Sequence, residues 1–233
     1  MDLSPRLKKI VEMVPKCEIL ADIGTDHGYV LIELIHAGKI NKGIASDNKK
    51  KPLEKAKKNA EAEGVSGGMD FRLGEGLRTL LAGEANGAVV AGMGGILTRD
   101  ILVSSLDVIK KMDFLLLQPA QNPEMLRKYL YEGPFDILDE EILKEDRRFY
   151  EYILVRYNEN PLAKRKNIGE YQVGECLLEK GSELLNEFLE SKIWETEGIL
   201  RKMDLSSENA RFRKEKLENI IKEFKGIEKW RNK

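Results

Sequence analysis

The sequence predicts an α/β protein: a seven-stranded, mostly parallel sheet flanked by helices, followed by two long antiparallel helices. Three observations carry this prediction. Over residues 17–157, short apolar runs alternate with amphipathic stretches of helical period, the signature of βαβ units whose right-handed crossovers make the strands parallel. The last two strand-like runs, FDILDEEILKED and FYEYILVRY, have almost nothing between them, which dictates an antiparallel hairpin at the sheet edge. From Ile168 onward no strand-like run remains and charged residues crowd in.

Each element follows in order. MDLSPRLKKIVEMVPK reads as a charged amphipathic helix without the apolar centre of a signal peptide. CEILADIG is the first strand, and the apolar helix YVLIELI follows it, with His36 marking the helix end. KGIASD, MDFRLGEG, GAVVAGMG and FLLLQP are the next four strands. Helical stretches such as KKPLEKAKKNAEAEG and GILTRDILVSSLDVIKKM lie between them. In the C-terminal part, LLNEFLESKIWETEGILRKM and ENARFRKEKLENIIKEFKGIEKW carry apolar residues at helical spacing. Leu217, Ile220, Phe224 and Ile227 make a heptad seam of coiled-coil type. Ser206 or Ser207 is placed to cap the second helix. The expected division is 1–160 for the α/β domain and 161–233 for the helical hairpin.

Composition narrows the function classes. A chain of 233 residues holds one full core and a smaller appendage. The net charge of −1 argues against a general nucleic-acid glue. A slight excess of base beyond residue 160, 16 Lys and Arg against 14 Asp and Glu, permits a local basic face. Cys17 and Cys176 lie far apart with no CxxC spacing, against a zinc site or a disulfide scaffold and in keeping with a reducing cytoplasm. No apolar run approaches the roughly 20 residues a membrane span needs, so the expectation is a cytoplasmic protein with no membrane and no metal.

The strand ends hold the chemistry. In open α/β sheets ligands sit at the carboxyl ends of the strands near the topological switch point, and here each of the first five strands ends in polar or glycine residues. The first runs into Asp22, Gly24, Thr25, Asp26, His27 and Gly28, where glycine permits a tight turn and a helix N-terminus follows. The second ends in Asp47 and Asn48, 25 residues after Asp22, an acid able to accept both hydroxyls of a ribose. The third ends in Gly74, Glu75 and Gly76, a carboxylate able to receive an adenine amino group. The fourth ends in Gly92 and Met93, and the fifth in Gln118 and Pro119. The first turn is GxxxG rather than GxGxxG, and its acids would repel a dinucleotide pyrophosphate. S-adenosyl-L-methionine carries a sulfonium and an ammonium and no phosphate, so acids around it are favourable. The pattern therefore points to a Rossmann-like methyltransferase.

ADIGTDHGYV, IASDNKKKPLEKAKKN, LGEGL, VAGMGG, LLLQP and RRFYEYILV together resemble the bacterial tRNA (adenine-22-N1)-methyltransferase family, over roughly residues 5–157. The C-terminal helical extension matches in kind. The chain departs from the family pattern at VLIE, where a proline is usual, at Glu75 for Asp, and at Ala120 for Asn. The resemblance implies a class I fold, S-adenosyl-L-methionine as cofactor, and folded tRNA as substrate. It implies methylation at adenine N1, which lies on the Watson–Crick edge and must be unpaired or flipped out.

Site roles are expected as follows. Asp22, Gly24, Thr25, Gly28, Asp47, Asn48, Gly74, Glu75, Gly76, Gly92 and Met93 hold the cofactor. Asp26 is the carboxylate that stabilises charge developing on the adenine, unless it only caps the following helix. His27 orients Asp26 or bonds the cofactor carboxylate, and Gln118 offers a donor and an acceptor to a base edge. Tyr29 or Tyr150 could stack on the extruded adenine or pack in the core. Lys164, Arg165, Lys166, Arg211, Arg213, Lys214 and Lys216 are candidate phosphate contacts or a solvated face. A monomer or weak dimer is expected.

Overall fold

The computed structural model describes residues 3–161 and 166–231, with side chains up to Ile227. The chain divides into two compact units, Met1–Lys164 and Arg165–Lys233.

The first unit opens with α1 (Pro5–Met13), whose first turn is capped by the Ser4 hydroxyl accepting from the Leu7 N–H at 3.4 Å. Proline at the first helical position has no N–H to lose there, and Ile10 and Val14 bury the apolar stripe. Then come β1 (Ile19–Ile23), α2 (Tyr29–His36), β2 (Lys42–Asp47), α3 (Lys50–Ala62) and β3 (Met69–Leu73). β4 (Gly87–Gly94), α4 (Gly95–Val103), the short α5 (Leu106–Ile109), β5 (Phe114–Gln121) and α6 (Pro123–Glu132) follow. The unit closes with β6 (Phe135–Glu145) and β7 (Arg148–Tyr157).

The sheet runs β3-β2-β1-β4-β5-β7-β6. The first five strands are parallel, and β7 pairs antiparallel with both β5 and β6. All seven strands expected from the sequence are present, and the hairpin at the edge turns at Asp146 in the left-handed region (φ 55°). After β1 the chain winds outward through β2 and β3, then returns to start β4 on the other side of β1. The switch point therefore lies between β1 and β4. Buried runs such as Leu20–Ala21, Val89–Val90 and Leu115–Leu117 are apolar on both faces, as strands covered by helices on both sides must be.

Near β6, the Arg127 guanidinium of α6 is buried between two carboxylates, bonding Glu140 at 2.8 Å and Glu151 at 2.7 Å. Tyr131 donates to the second oxygen of Glu140. The Lys39 ammonium donates to the carbonyls of Val11, Glu12 and Val14 at 2.8, 2.8 and 3.0 Å, closing the C-terminal end of α1.

The second unit contains α7 (Glu175–Lys180), α8 (Leu185–Lys202) and α9 (Glu208–Arg231). The two long helices pack against one another, with Leu217, Ile220 and Phe224 of the expected seam buried and Ile227 partly so. Ser207 accepts from the Ala210 N–H at 3.2 Å, the capping bond foreseen for one of the two serines. The sequence did not foretell α7 or the small bridge between Ile168 and Val173. That bridge closes a tight turn with Gly169, Glu170 and Tyr171 all at positive φ, too short to leave any periodic signal. Among the described residues no helix is long and apolar enough to cross a membrane.

Candidate active site

At the carboxyl ends of β1 to β4 the first unit opens a cleft of about 580 Å³, a size suited to a nucleoside with a short appendage. Gly24, Asp47, Asn48, Gly74, Glu75, Gly76 and Met93 line it, which is seven of the cofactor residues expected from the sequence. The opposite wall is α4, through Leu97, Asp100, Ile101 and Ser104, with Arg78 at the edge. Sequence reasoning missed that wall. A helix face turned to a ligand shows the same apolar spacing as one turned to the core.

The first turn is fixed from beneath. The Gly24 and Thr25 N–H groups donate to the Ser46 carbonyl at 2.8 and 3.0 Å, tying the end of β1 to β2. Gly24 has φ 75°, and a side chain there would run into the Met93 methyl group. Thr25 is fully buried and donates from Oγ1 to Asp22 at 2.7 Å. These two residues shape the loop from below and do not line the cleft. Burial pushes the Asp22 carboxyl up to about 6. The Thr25 bond opposes that rise, and the negative charges of Asp47 and Asp26 reinforce it.

Beyond Thr25, Asp26 is exposed and His27 partly so. Asp26 is 83% exposed, and its carboxylate meets His27 Nε2 at 3.1 Å. His27 sits in the left-handed region (φ 65°), held by Asn59 Nδ2 donating to its carbonyl at 2.9 Å. Its ring stacks on Tyr29 with centroids 5.2 Å apart. Asp26 does not cap α2; Gly28 takes that position, with no side-chain cap bond. Gly28 differs from its expected role. Its missing Cβ would meet Ala56 of α3 at 3.0 Å, so the position serves helix packing and does not line the cleft.

Asp47 accepts from the Lys49 N–H at 2.7 Å through one oxygen. The Gly74 N–H donates to the Asp47 carbonyl at 3.0 Å, bringing the Glu75 loop beside it. Thr79 braces the same loop, its hydroxyl 2.9 Å from that of Ser46.

On the β4–β5 side the pairing slips between Ala91 and Met93, a bulge centred on Gly92 (φ 75°) that turns Met93 into the cleft. Gln118 is 1% exposed and already engaged. Its Oε1 accepts from the Gly92 N–H and from Arg6 Nη1, both at 3.2 Å, and its Nε2 donates to the Pro119 carbonyl. The expectation that Gln118 presents a free amide to a base edge is thus corrected: the side chain is an internal brace between β4, β5 and α1. Arg6 was not anticipated, being 112 residues away in sequence.

Among the described residues no group of three or more His, Cys, Asp or Glu side chains could hold a metal ion. In the second unit, Lys214 pairs with Glu218 and Lys216 with Glu170, while Arg211 donates to the Leu205 carbonyl. Lys166 and Arg213 are exposed, and Lys164 and Arg165 lie outside the described residues.

Strand order and an acid-rimmed, nucleoside-sized cleft at the switch point define a Rossmann-like methyltransferase, and the methyltransferase domain family model matches residues 3–153. The chain belongs to the tRNA (adenine(22)-N(1))-methyltransferase family. It is 32% identical over 163 residues to the curated protein of that name from Bacillus subtilis (strain 168), covering 70% of this chain and 68% of that one. The crystal structure of the B. subtilis M1A22 tRNA methyltransferase TrmK superposes with a TM-score of 0.84 at 26% identity, over 97% of this chain and 98% of that one. Streptococcus pneumoniae Sp1610, solved in complex with S-adenosyl-L-methionine, gives 0.83 at 28% identity, over 97% and 99%.

Proposed function

We propose that this protein is the S-adenosyl-L-methionine-dependent enzyme that methylates N1 of adenine 22 in tRNA. The observation that carries the reading is the set of carboxylates at the strand ends, Asp47 and Glu75 lining the cleft and Asp26 exposed on the adjoining turn, whose like charges repel one another. That mutual repulsion is relieved by a cationic ligand and worsened by a phosphate.

The residues present fit the cofactor. Asp47 would take the ribose hydroxyls through the carboxylate oxygen that Lys49 leaves available. Glu75 would take the adenine amino group, and Ile101 and Leu97 would cover its faces. Gly24 and Met93 would flank the methionine end. When bound, the cofactor supplies an electrophilic methyl group on a sulfonium.

Adenine N1 carries a free lone pair at neutral pH, so no side chain has to remove a proton to create the nucleophile. The protein's work is positioning and charge stabilisation. Asp26 is exposed to an incoming base, and His27 beside it sets its direction. Its negative charge favours the cationic ring that methylation leaves. The His27–Tyr29 stack offers an aromatic surface on the same turn for an extruded base. The division of labour is taken as catalysis in 1–160 and RNA grip in the helical hairpin of 161–233, with Lys166 and Arg213 as its least encumbered cations. The protein is taken as cytoplasmic and a monomer or weak dimer.

The test is incubation with unmodified tRNA transcripts and labelled cofactor, followed by mass-spectrometric mapping. N1-methyladenosine at position 22 is the expected product. Label on guanine or cytosine, or none on RNA despite normal cofactor binding, overturns the reading.

A further inference from the structure

Arg6 stands where the cofactor cleft ends and the acceptor side begins, and its surroundings are unusual for an arginine. Its backbone carbonyl accepts from the Tyr152 hydroxyl at 3.1 Å, and Tyr152 is fully buried. The helix that carries it is fastened at the far end by Lys39 and along its length by Ile10. The guanidinium lies 5.9 Å from the centroid of the Tyr150 ring and bonds Gln118, which also receives the Gly92 N–H. A Cβ on Gly92 would stand 3.6 Å from Arg6 Nη1, so the cation lies over the bulge that delivers Met93 to the cleft.

Among the described residues its charge is unmatched. The cleft side of Met93 carries Asp47, Glu75 and Asp100, and the adjoining turn carries Asp22 and Asp26. Among the described residues, however, no carboxylate lies within ion-pair distance of Arg6. A guanidinium presents a planar fork of N–H donors, and the bond to Gln118 is its only hydrogen bond among the described residues. A half-buried cation held on three sides, with most of its fork turned to no acceptor among the described residues, is built to receive an oxyanion. Two kinds of oxyanion come to this site: the cofactor carboxylate and the phosphodiesters of the RNA. The position favours the second, because Arg6, Gly92 and Gln118 all lie outside the cofactor cleft, beyond Met93. A cation aimed at the adenine ring itself would oppose the positive charge that methylation creates there.

We propose that Arg6 binds a phosphodiester of the substrate RNA next to the target adenosine. Together with the Gln118–Gly92 brace, it holds the strand so that the base reaches the cleft. This rests on the assignment of tRNA as substrate.

Arg6→Gln keeps a donor for Gln118 while removing the charge, and Arg6→Met, which keeps an apolar stem against Tyr150, serves if the first variant fails to fold. In the full-length protein, the neutral variant is expected to weaken tRNA binding on the order of tenfold. It should also lower the slope of log affinity against log salt by about 1. The cofactor affinity measured by calorimetry and the thermal midpoint should stay at wild-type values, while Arg6→Lys retains the full slope. An unchanged salt slope overturns the proposal, as does lost cofactor affinity, which would assign Arg6 to the cofactor carboxylate. A slope lost equally in Arg6→Lys overturns it too, since the effect is then one of packing. Wild-type protein that methylates no tRNA is a separate outcome: it removes the functional assignment on which the proposal stands.

Discussion

Gly24 and Met93 occupy adjoining volumes, so that any side chain at Gly24 collides with the Met93 methyl group. The pair joins the β1 turn to the β4 bulge across the switch point. Because the obstacle is the tip of a flexible side chain, Gly24→Ala is expected to displace Met93 before it disturbs the fold. The remaining penalty is the left-handed backbone (φ 75°), worth about 1–2 kcal/mol for an L-residue. Cofactor affinity should fall about tenfold or more, the equivalent of roughly 1.4 kcal/mol. Calorimetry on Gly24→Ala, Met93→Ala and the double variant separates the two effects. A double variant that binds no better than Gly24→Ala alone shows that the backbone, rather than the collision, sets the loss.

The two outer acids should behave differently. Asp47→Ala removes a charged acceptor for two hydroxyls and is expected to weaken cofactor binding by about a hundredfold, at roughly 1.5 kcal/mol per charge-assisted bond. Asp26→Ala should leave that affinity nearly intact and depress kcat by about ten- to a hundredfold. Single-turnover assays with saturating cofactor make the comparison. Normal turnover in Asp26→Ala would end the catalytic assignment.

Asp22 makes the site pH-sensitive in a direction fixed by its shift. Its folded pKa is raised from 3.8 to about 6, so the native state holds the proton more tightly than the unfolded chain. The stability from this group is fully present below about pH 4 and is lost as pH rises through 6. The loss is on the order of 3 kcal/mol at about 1.4 kcal/mol per pH unit. Asp22→Asn should therefore raise the thermal midpoint at pH 7.5 and flatten the profile between pH 4 and 6. A bound cation favours the ionised carboxylate, so affinity for S-adenosyl-L-methionine should drop as pH falls below 6. S-adenosylhomocysteine, lacking the sulfonium charge, should show a shallower dependence. Parallel titrations of the two ligands with wild type and Asp22→Asn decide the matter, and identical slopes for both ligands would falsify the charge argument.

Arg127 is the group on which the β6 edge depends. Desolvation acts against its charge, but Glu140 and Glu151 outweigh it and raise its proton affinity. Arg127→Met would strand both carboxylates in the interior, and urea denaturation should show a loss of about 3–5 kcal/mol. Combining it with Glu140→Gln and Glu151→Gln should recover much of that loss, since neutral amides cost less to bury.

What the sequence revealed and what it hid divide along a physical line. The strand-end acids Asp47 and Glu75, which line the cleft, were legible because each follows an apolar run and the parallel topology brings such ends together. The hairpin was legible because KEDRR is too short for a crossover. Gln118 and Gly28 were misread for one reason: sequence shows where a residue falls along an element but not which neighbour fills the space before it. Arg6 fills it for Gln118, and Ala56 for Gly28. The α4 wall was hidden because Leu97 and Ile101 look like core residues until the cleft is seen.

The Lys39 ammonium, which closes the end of α1 through three carbonyls, has a mechanical consequence. Since the same helix presents Arg6 at its other end, α1 is a strut clamped at its base, and Lys39 is the clamp although it lies before the amino end of β2, whereas the cleft opens at the carboxyl ends of the strands. Neutralising Lys39, by substitution or by acylation of its amine, would let the helix tip swing. The injury would then be felt at the substrate end rather than as a loss of the core.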